Sequence, residues 1–363
     1  MSGREMAFIQ QAFRENYITT CGSNLQNFEK SLAAITGTQK AVALNSGTAA
    51  IHLALKVLEI QAGDEVICAS FTFVATANPI LYLQAMPVFV DSEPETWNMC
   101  PEALESAIQD RIKKGKKPKA IIIVHLYGMP AKINQLLAIA QQYQIPVIED
   151  AAEALGSTYE NQALGTFGEV GISSFNGNKI ITTSGGGALV TNNPEYAKKA
   201  LFLATQAKDP APHYQHSEVG YNYRMSNIAA SIGLGQLEVL PERVQKRRAI
   251  FQFYQESLRN YDFIHFQPEP TACFSNRWLS CFVLTQGQAL KAEKIRNALA
   301  TDHIESRPLW KPLHRQPLFN AYPYYGHEVA ENLFHTGLCL PSGSDLTDDD
   351  LERIVQVIHK ELI

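Results

Sequence analysis

The sequence predicts an α/β protein with a mostly parallel central sheet and a smaller C-terminal α/β domain. Short runs rich in Val and Ile at 66–69, 88–90, 120–124 and 147–148 alternate with longer helical patterns such as 101–112 and 133–143. Apolar runs without polar alternation, separated by helix-length segments, mark buried parallel strands in βαβ units. Near Glu242 the composition shifts to a charged helical stretch, ERVQKRRAIFQFYQESL, and then to scattered short strands such as 281–284. The length, 363 residues, suffices for one large domain with a smaller companion. The expected units are residues 1–241, an N-terminal arm and large domain, and residues 242–363, a small domain.

The first 32 residues read as helical, interrupted by a loop at 19–23. Residues 205–218, TQAKDPAPHYQHSE, combine two prolines with many polar side chains and read as a long loop of the kind that carries function. At the end of the chain, Thr347 and Asp350 have the spacing of a capping box, with Asp in place of the usual Glu, ahead of an amphipathic run. No internal repeat or low-complexity segment interrupts this order.

Composition narrows the functional classes. A hydrophobic content of 45%, a charged content of 18% and a net charge of −5 describe a soluble globular protein without the basic excess that a nucleic-acid partner requires. No run approaches the length of a membrane span, and MSGREMAFIQQAF lacks the apolar core of a signal peptide, so a cytoplasmic location is expected. The six cysteines are widely spaced with no CxxC, which suggests neither a zinc site nor a disulfide framework, and no metal is expected.

Three stretches carry candidate chemistry. Residues 171–191, GISSFNGNKIITTSGGGALVT, read as strand, loop, strand, with a single amine, Lys179, in an otherwise uncharged loop. Desolvation there would favour a neutral amine able to form a Schiff base, although a solvated surface lysine is the ordinary occupant of such a loop. Residues 146–157, PVIEDAAEALGS, read as a short buried strand with Glu149 and Asp150 at its carboxyl end, where open α/β sheets bind ligands. A carboxylate fixed there, with a Schiff-base lysine downstream, suits pyridoxal phosphate, whose pyridine nitrogen it would keep protonated. Residues 44–53, LNSGTAAIHL, lead from Asn45, Ser46, Gly47 and Thr48 into a helical pattern. Free amides and the helix dipole there suit a phosphate dianion, and the alternative is an ordinary N-cap.

In this order the motifs resemble the DegT/DnrJ/EryC1/StrS family of fold-type-I, pyridoxal-phosphate-dependent aminotransferases acting on nucleotide-linked keto-sugars. The matching blocks are NSGTAA at 45–50, SFTFVATAN at 70–78, HLYG at 125–128 and EDAAEALGS at 149–157. They continue with SFNGNKIITTSGGGALVT at 174–191, GYNYRMSN at 220–227 and RPLWKPLHRQP at 307–317, so the resemblance covers essentially the whole chain. It implies that Lys179 is the Schiff-base lysine and the base that moves protons between cofactor and sugar. Asp150 becomes the pyridinium partner, and Ser174 joins Gly47 and Thr48 around the cofactor phosphate. Phe73 would lie against the pyridine face, and Glu153 falls where many relatives carry glutamine near the phenolic oxygen. Asn222 would reach the phosphate of the partner subunit's cofactor, making the site a property of a homodimer. Family members carry several more residues ahead of the equivalent of Gly3.

For the substrate, Arg307, Lys311 and His314 are the groups expected at a pyrophosphate, with His216 a further candidate in the neighbouring loop. The resemblance implies transfer of nitrogen from L-glutamate to a keto-sugar. The segment SFNGNKIITTSGGG is similar to the group acting at C4 of UDP-linked 4-keto-6-deoxy-N-acetylglucosamine, while enzymes using GDP-4-keto-6-deoxymannose share much of the same pattern. A sugar dehydratase of this fold would replace Lys179 with histidine. A non-catalytic nucleotide-sugar-binding protein could have lost Lys179 or Asp150, and both are present.

Overall fold

The computed structural model describes residues 1–285 and 287–362. Seven strands, numbered in chain order, build most of the large sheet: β1 (Lys40–Leu44), β2 (Glu65–Ala69), β3 (Met86–Val90), β4 (Ala120–Val124), β5 (Val147–Asp150), β6 (Val170–Ser174) and β7 (Gly187–Thr191). Their spatial order is β1-β7-β6-β5-β4-β2-β3, and the two-residue strand Tyr324–Tyr325 extends the sheet beyond β3. Pairing is parallel from β6 through β3 and on to Tyr324–Tyr325, while β7 runs antiparallel to both β6 and β1.

The Val and Ile runs are unbroken because both faces of this sheet are buried. Ile122, Cys68 and Ile148 enter one core with helices Gly47–Val57 and Pro194–Ala204. Their neighbours Ile121, Ile123, Ile67 and Val147 enter the other, with helices Pro101–Lys113 and Ile133–Gln142. Side chains alternate along a strand, so every position must be apolar when neither face meets water. The expected helices and strands thus appear within a few residues of their anticipated limits, and the expected N-terminal break separates helix Glu5–Arg14 from helix Ser23–Thr36.

A second sheet has the order Ile264–Phe266, Ser280–Leu284, Gly337–Leu340, Arg307–Pro308 and is antiparallel throughout. Helices Leu240–Ser257, Ala289–Thr301 and Asp348–Leu362 enclose its core around Phe282, Ile295 and Ile358. The two parts are stitched together. Cys273–Phe274 pairs with Thr158–Tyr159, and Asn276 donates from its side-chain amide to the carbonyls of Glu153 and Leu155 at 2.8 and 2.9 Å. Among the described residues, no helix is long and apolar enough to cross a membrane.

The last helix starts as its sequence predicts. Thr347 Oγ1 accepts from the Asp350 amide at 3.2 Å, and Asp350 Oδ2 accepts from the Thr347 amide at 2.9 Å. Thr347→Ala therefore removes one half of a reciprocal cap and should destabilise the protein by about 1 kcal/mol. Thr347→Ser should restore most of that loss in a denaturant titration, and equal midpoints for wild type and Thr347→Ala would show that the cap is idle.

Candidate active site

The carboxyl ends of β4, β5 and β6 open into a cavity of about 800 Å³ whose far wall is the second sheet and its loops. Lys179 lines it from the loop between β6 and β7. The side chain is 11% exposed, and its Nζ lies 3.4 Å from Glu153 Oε1 and 4.1 Å from the centre of the Trp278 ring. Glu153 Oε2 accepts the Tyr127 amide at 2.7 Å. Tyr127 holds a positive φ of 56°, an uncommon backbone state for an aromatic residue, and its hydroxyl accepts the Trp310 amide at 3.0 Å.

Asp150 ends β5 on the cavity floor. Its Oδ2 accepts from Thr76 Oγ1 at 2.7 Å and its Oδ1 from the Ala152 amide at 3.2 Å. Burial pushes this carboxyl above its usual range, against the lowering effects of those two donors and of the Lys179 charge. A cationic nitrogen placed opposite would favour the ionised form. Glu149, one residue earlier, is fully buried and accepts from the amides of Gly165, Phe167 and Gly168 at 3.0, 2.6 and 2.7 Å. Its Oε2 also meets His125 Nε2 at 2.9 Å, and His125 Nδ1 accepts the Ala131 amide, so the histidine's proton sits on Nε2 and is donated to Glu149.

At the opposite end of the cavity, the N-terminus of helix Gly47–Val57 meets the end of β6. Ser46 is its N-cap, with Oγ accepting from the Ala49 amide at 3.0 Å, while Gly47, Thr48 and Ser174 line the cavity. Within the 185–187 run, Gly186 and Gly187 are explained by contact, while a Cβ on Gly185 would meet nothing within 4 Å. A Cβ on Gly187 would lie 2.3 Å from the Gly47 amide nitrogen, so only glycine lets β7 pass this close to the helix start. A Cβ on Gly47 would sit 3.4 Å from Ser174 Oγ, in the space between helix start and hydroxyl.

An amine, a buried carboxylate and a helix N-terminus flanked by hydroxyls thus face one cavity, and that donor set fits pyridoxal phosphate: Lys179 for the aldehyde carbon, Asp150 for the ring nitrogen, Gly47, Thr48 and Ser174 for the phosphate. Phe73 also lines the cavity, half exposed, with its ring 5.7 Å from that of Trp310.

The expected substrate-binding cations divide. Arg307 lines the same cavity, with its guanidinium on Glu305 Oε1 at 2.8 and 2.6 Å. Lys311 and His314 line a separate cavity of about 550 Å³. His314 bonds Ser70 Oγ at 2.7 Å and Glu331 Oε1 at 3.0 Å and stacks on Tyr324. Asn222 and His216 lie outside the large cavity on exposed chain, and both bond Gln206. Trp278, which faces the lysine, and Tyr127 and Trp310, which pack beside Trp278, were not among the expected site residues. HLYG contained Tyr127, but nothing local marked it as part of an aromatic wall.

Burial, with a smaller contribution from the Asp150 charge, pushes the Glu153 carboxyl up to about 7, while Lys179 and the Tyr127 amide pull it down. The folded protein therefore holds this proton more tightly than the unfolded chain, where the ordinary value is 4.5. Its stabilising contribution is complete below the unfolded value and is lost as pH rises through about 7. Glu153→Gln cannot ionise, so in cofactor-free protein the stability difference between variant and wild type should grow across that window. Parallel stability profiles for the two proteins would rule this out.

The sequence profile of the DegT/DnrJ/EryC1/StrS aminotransferase family matches residues 1–359. EpsN of Bacillus subtilis (strain 168), provisionally named a pyridoxal phosphate-dependent aminotransferase, is 55% identical over 99% of this chain and 93% of its own. The GDP-perosamine synthase of Escherichia coli O157:H7 is 37% identical over 99% and 96% of the two chains. A crystal structure of a DegT DnrJ EryC1 StrS aminotransferase from Brucella abortus superposes with a TM-score of 0.92 at 32% identity, covering 99% of this chain and 95% of that one.

Proposed function

The chain belongs to the DegT/DnrJ/EryC1/StrS aminotransferase family and is a pyridoxal-phosphate-dependent aminotransferase, and on that premise we propose that it moves nitrogen from L-glutamate to C4 of a nucleotide-linked 4-keto-6-deoxy sugar. The observation that carries the reading is the convergence of Lys179, Asp150 and the Gly47–Thr48–Ser174 cradle on one cavity. The nucleotide sugar we assign first is UDP-4-keto-6-deoxy-N-acetylglucosamine, on the similarity of segment 174–187 to that group. GDP-4-keto-6-deoxymannose is the second reading, supported by the similarity to a GDP-perosamine synthase.

When bound, pyridoxal phosphate supplies an electron sink that stabilises negative charge on the substrate carbon. Lys179 attaches the cofactor and, once its amine is free, moves the proton between substrate and cofactor carbons. Asp150, ionised, holds the proton on the ring nitrogen, and Thr76 and the Ala152 amide hold Asp150 in place. Glu153, 3.4 Å from the Lys179 amine, would lie by the phenolic oxygen of the bound cofactor and could share a proton with it or with Lys179. Gly47, Thr48 and Ser174 would hold the phosphate and Phe73 would cover the ring, while in a homodimer Asn222 would reach the phosphate of the partner subunit's cofactor. Arg307 would meet the substrate pyrophosphate, whereas Lys311 and His314 line a separate cavity and His216 lies on exposed chain outside the large one. Residues 1–241 form the cofactor-binding domain and 242–363 the small domain.

The test is a pair of half-reactions. Protein loaded with pyridoxal phosphate and given L-glutamate should release about one equivalent of 2-oxoglutarate per bound cofactor, with a change in the cofactor's absorbance. After glutamate is removed, the UDP-linked keto-sugar should reverse that change. Reversal by the GDP-linked sugar alone would select the second reading, and Lys179→Ala should abolish both halves. Absence of 2-oxoglutarate from wild type would refute L-glutamate as donor.

A further inference from the structure

We propose that Trp278 is a positioning residue for Lys179, an inference that rests on the assignment of Lys179 as the proton-moving base. The loop is anchored after the lysine, where Ile180 and Ile181 are buried and the Thr183 amide bonds the Phe175 carbonyl at 2.9 Å. The stretch before it is not: Asn176, Gly177 and Asn178 are all exposed, and the Lys179 amide bonds back only to the Asn176 carbonyl at 3.0 Å. An exposed loop of small polar residues does not by itself fix a long flexible side chain. Trp278 supplies the restraint from 100 residues away in sequence. Its indole Nε1 donates to the Asn178 carbonyl at 2.7 Å, directly before Lys179, and the face of the same ring lies 4.1 Å from the lysine Nζ.

One side chain thus holds both the backbone beside the lysine and the amine at its tip. The ring is itself immobilised. It is 3% exposed, its amide donates to Asn276 Oδ1 at 2.9 Å, and its carbonyl accepts from Arg247, which is also buried. Tyr127 and Trp310 pack beside it with ring centres 6.5 and 6.3 Å away. A protonated amine is attracted to the face of an indole. When the lysine is free, the indole on one side and Glu153 on another therefore hold it in the cavity.

The experiment compares Trp278→Phe, which keeps a ring face but loses the Nε1 donor, with Trp278→Leu, which loses both. In the loaded enzyme, Trp278→Leu should lower kcat of the glutamate half-reaction by about tenfold or more, because a misplaced base slows proton transfer. The KM for glutamate should stay within about twofold, since the donor's own binding groups are untouched. The isotope effect with α-deuterated glutamate should rise as proton transfer becomes limiting, and Trp278→Phe should fall between the two. In cofactor-free protein, reductive methylation of Lys179, followed by peptide mass spectrometry, should be faster in both variants. Unchanged kcat, isotope effect and methylation rate in a folded Trp278→Leu would overturn the proposal. If that variant does not fold, Trp278→Phe decides, and wild-type methylation there would equally overturn it. Should wild type itself release no 2-oxoglutarate, the proposed reaction fails while the methylation comparison still tests the positioning.

Discussion

Ending a central parallel strand on two consecutive buried carboxylates constrains everything around it. Glu149 and Asp150 leave β5 on opposite faces, as strand alternation requires, and each must find donors because a buried charge without partners is strongly unfavourable. Glu149 draws in the 165–168 turn and the His125 ring, while Asp150 draws in Thr76 and its own following turn. Of these partners, Thr76 and Ala152 line the cavity, while those of Glu149 do not. Glu149 is thus an anchor of the loops behind the site, and Asp150 is left facing the ligand space.

The lysine side of the cavity follows a different logic. There the groups are held by segments distant in sequence: Glu153 by the Tyr127 amide, Trp278 by Asn276 and Arg247, Trp310 by the Tyr127 hydroxyl. Tyr127 serves two of these at once, donating its amide to Glu153 and accepting the Trp310 amide on its hydroxyl. Its positive φ is part of that arrangement. Backbone strain of about 1–3 kcal/mol persists only where surrounding contacts over-determine it, and the two hydrogen bonds with the packed aromatic wall are such contacts.

Legibility in the sequence tracks how local each signal is. The parallel strands were visible because burial on both faces forces unbroken Val and Ile runs, and the final helix because Thr347 and Asp350 cap it within four residues. Lys179, Asp150 and the 45–48 helix start were marked by their places between strand and loop, and by the resemblance of the surrounding blocks. Tyr324–Tyr325 gave no strand signal, since two residues carry no periodicity and their partner β3 lies more than 200 residues earlier. Trp278 resembled any core tryptophan, because what distinguishes it is the approach of Asn178 and Lys179 from another part of the chain.

The basic segment 307–315 shows why spacing alone misleads about electrostatics. Arg307, Lys311 and His314 look like one cluster in sequence, yet the chain passes between two cavities. Arg307 and Trp310 face the one that holds Lys179, and Lys311 and His314 face the other. His314 is already engaged by Ser70, Glu331 and the Tyr324 ring, and the adjacent Leu313 amide bonds the Ser70 carbonyl, so this part of the segment docks the C-terminal region onto the loop that presents Phe73. Arg307 is different, because its partner Glu305 is exposed and so is Arg307 itself. An exposed ion pair contributes little to stability, so exchanging the Glu305 carboxylate for a phosphate oxygen costs little and gains a second negative charge. Of the three, Arg307 is therefore the residue whose present contacts leave it able to grip a pyrophosphate entering the lysine's cavity.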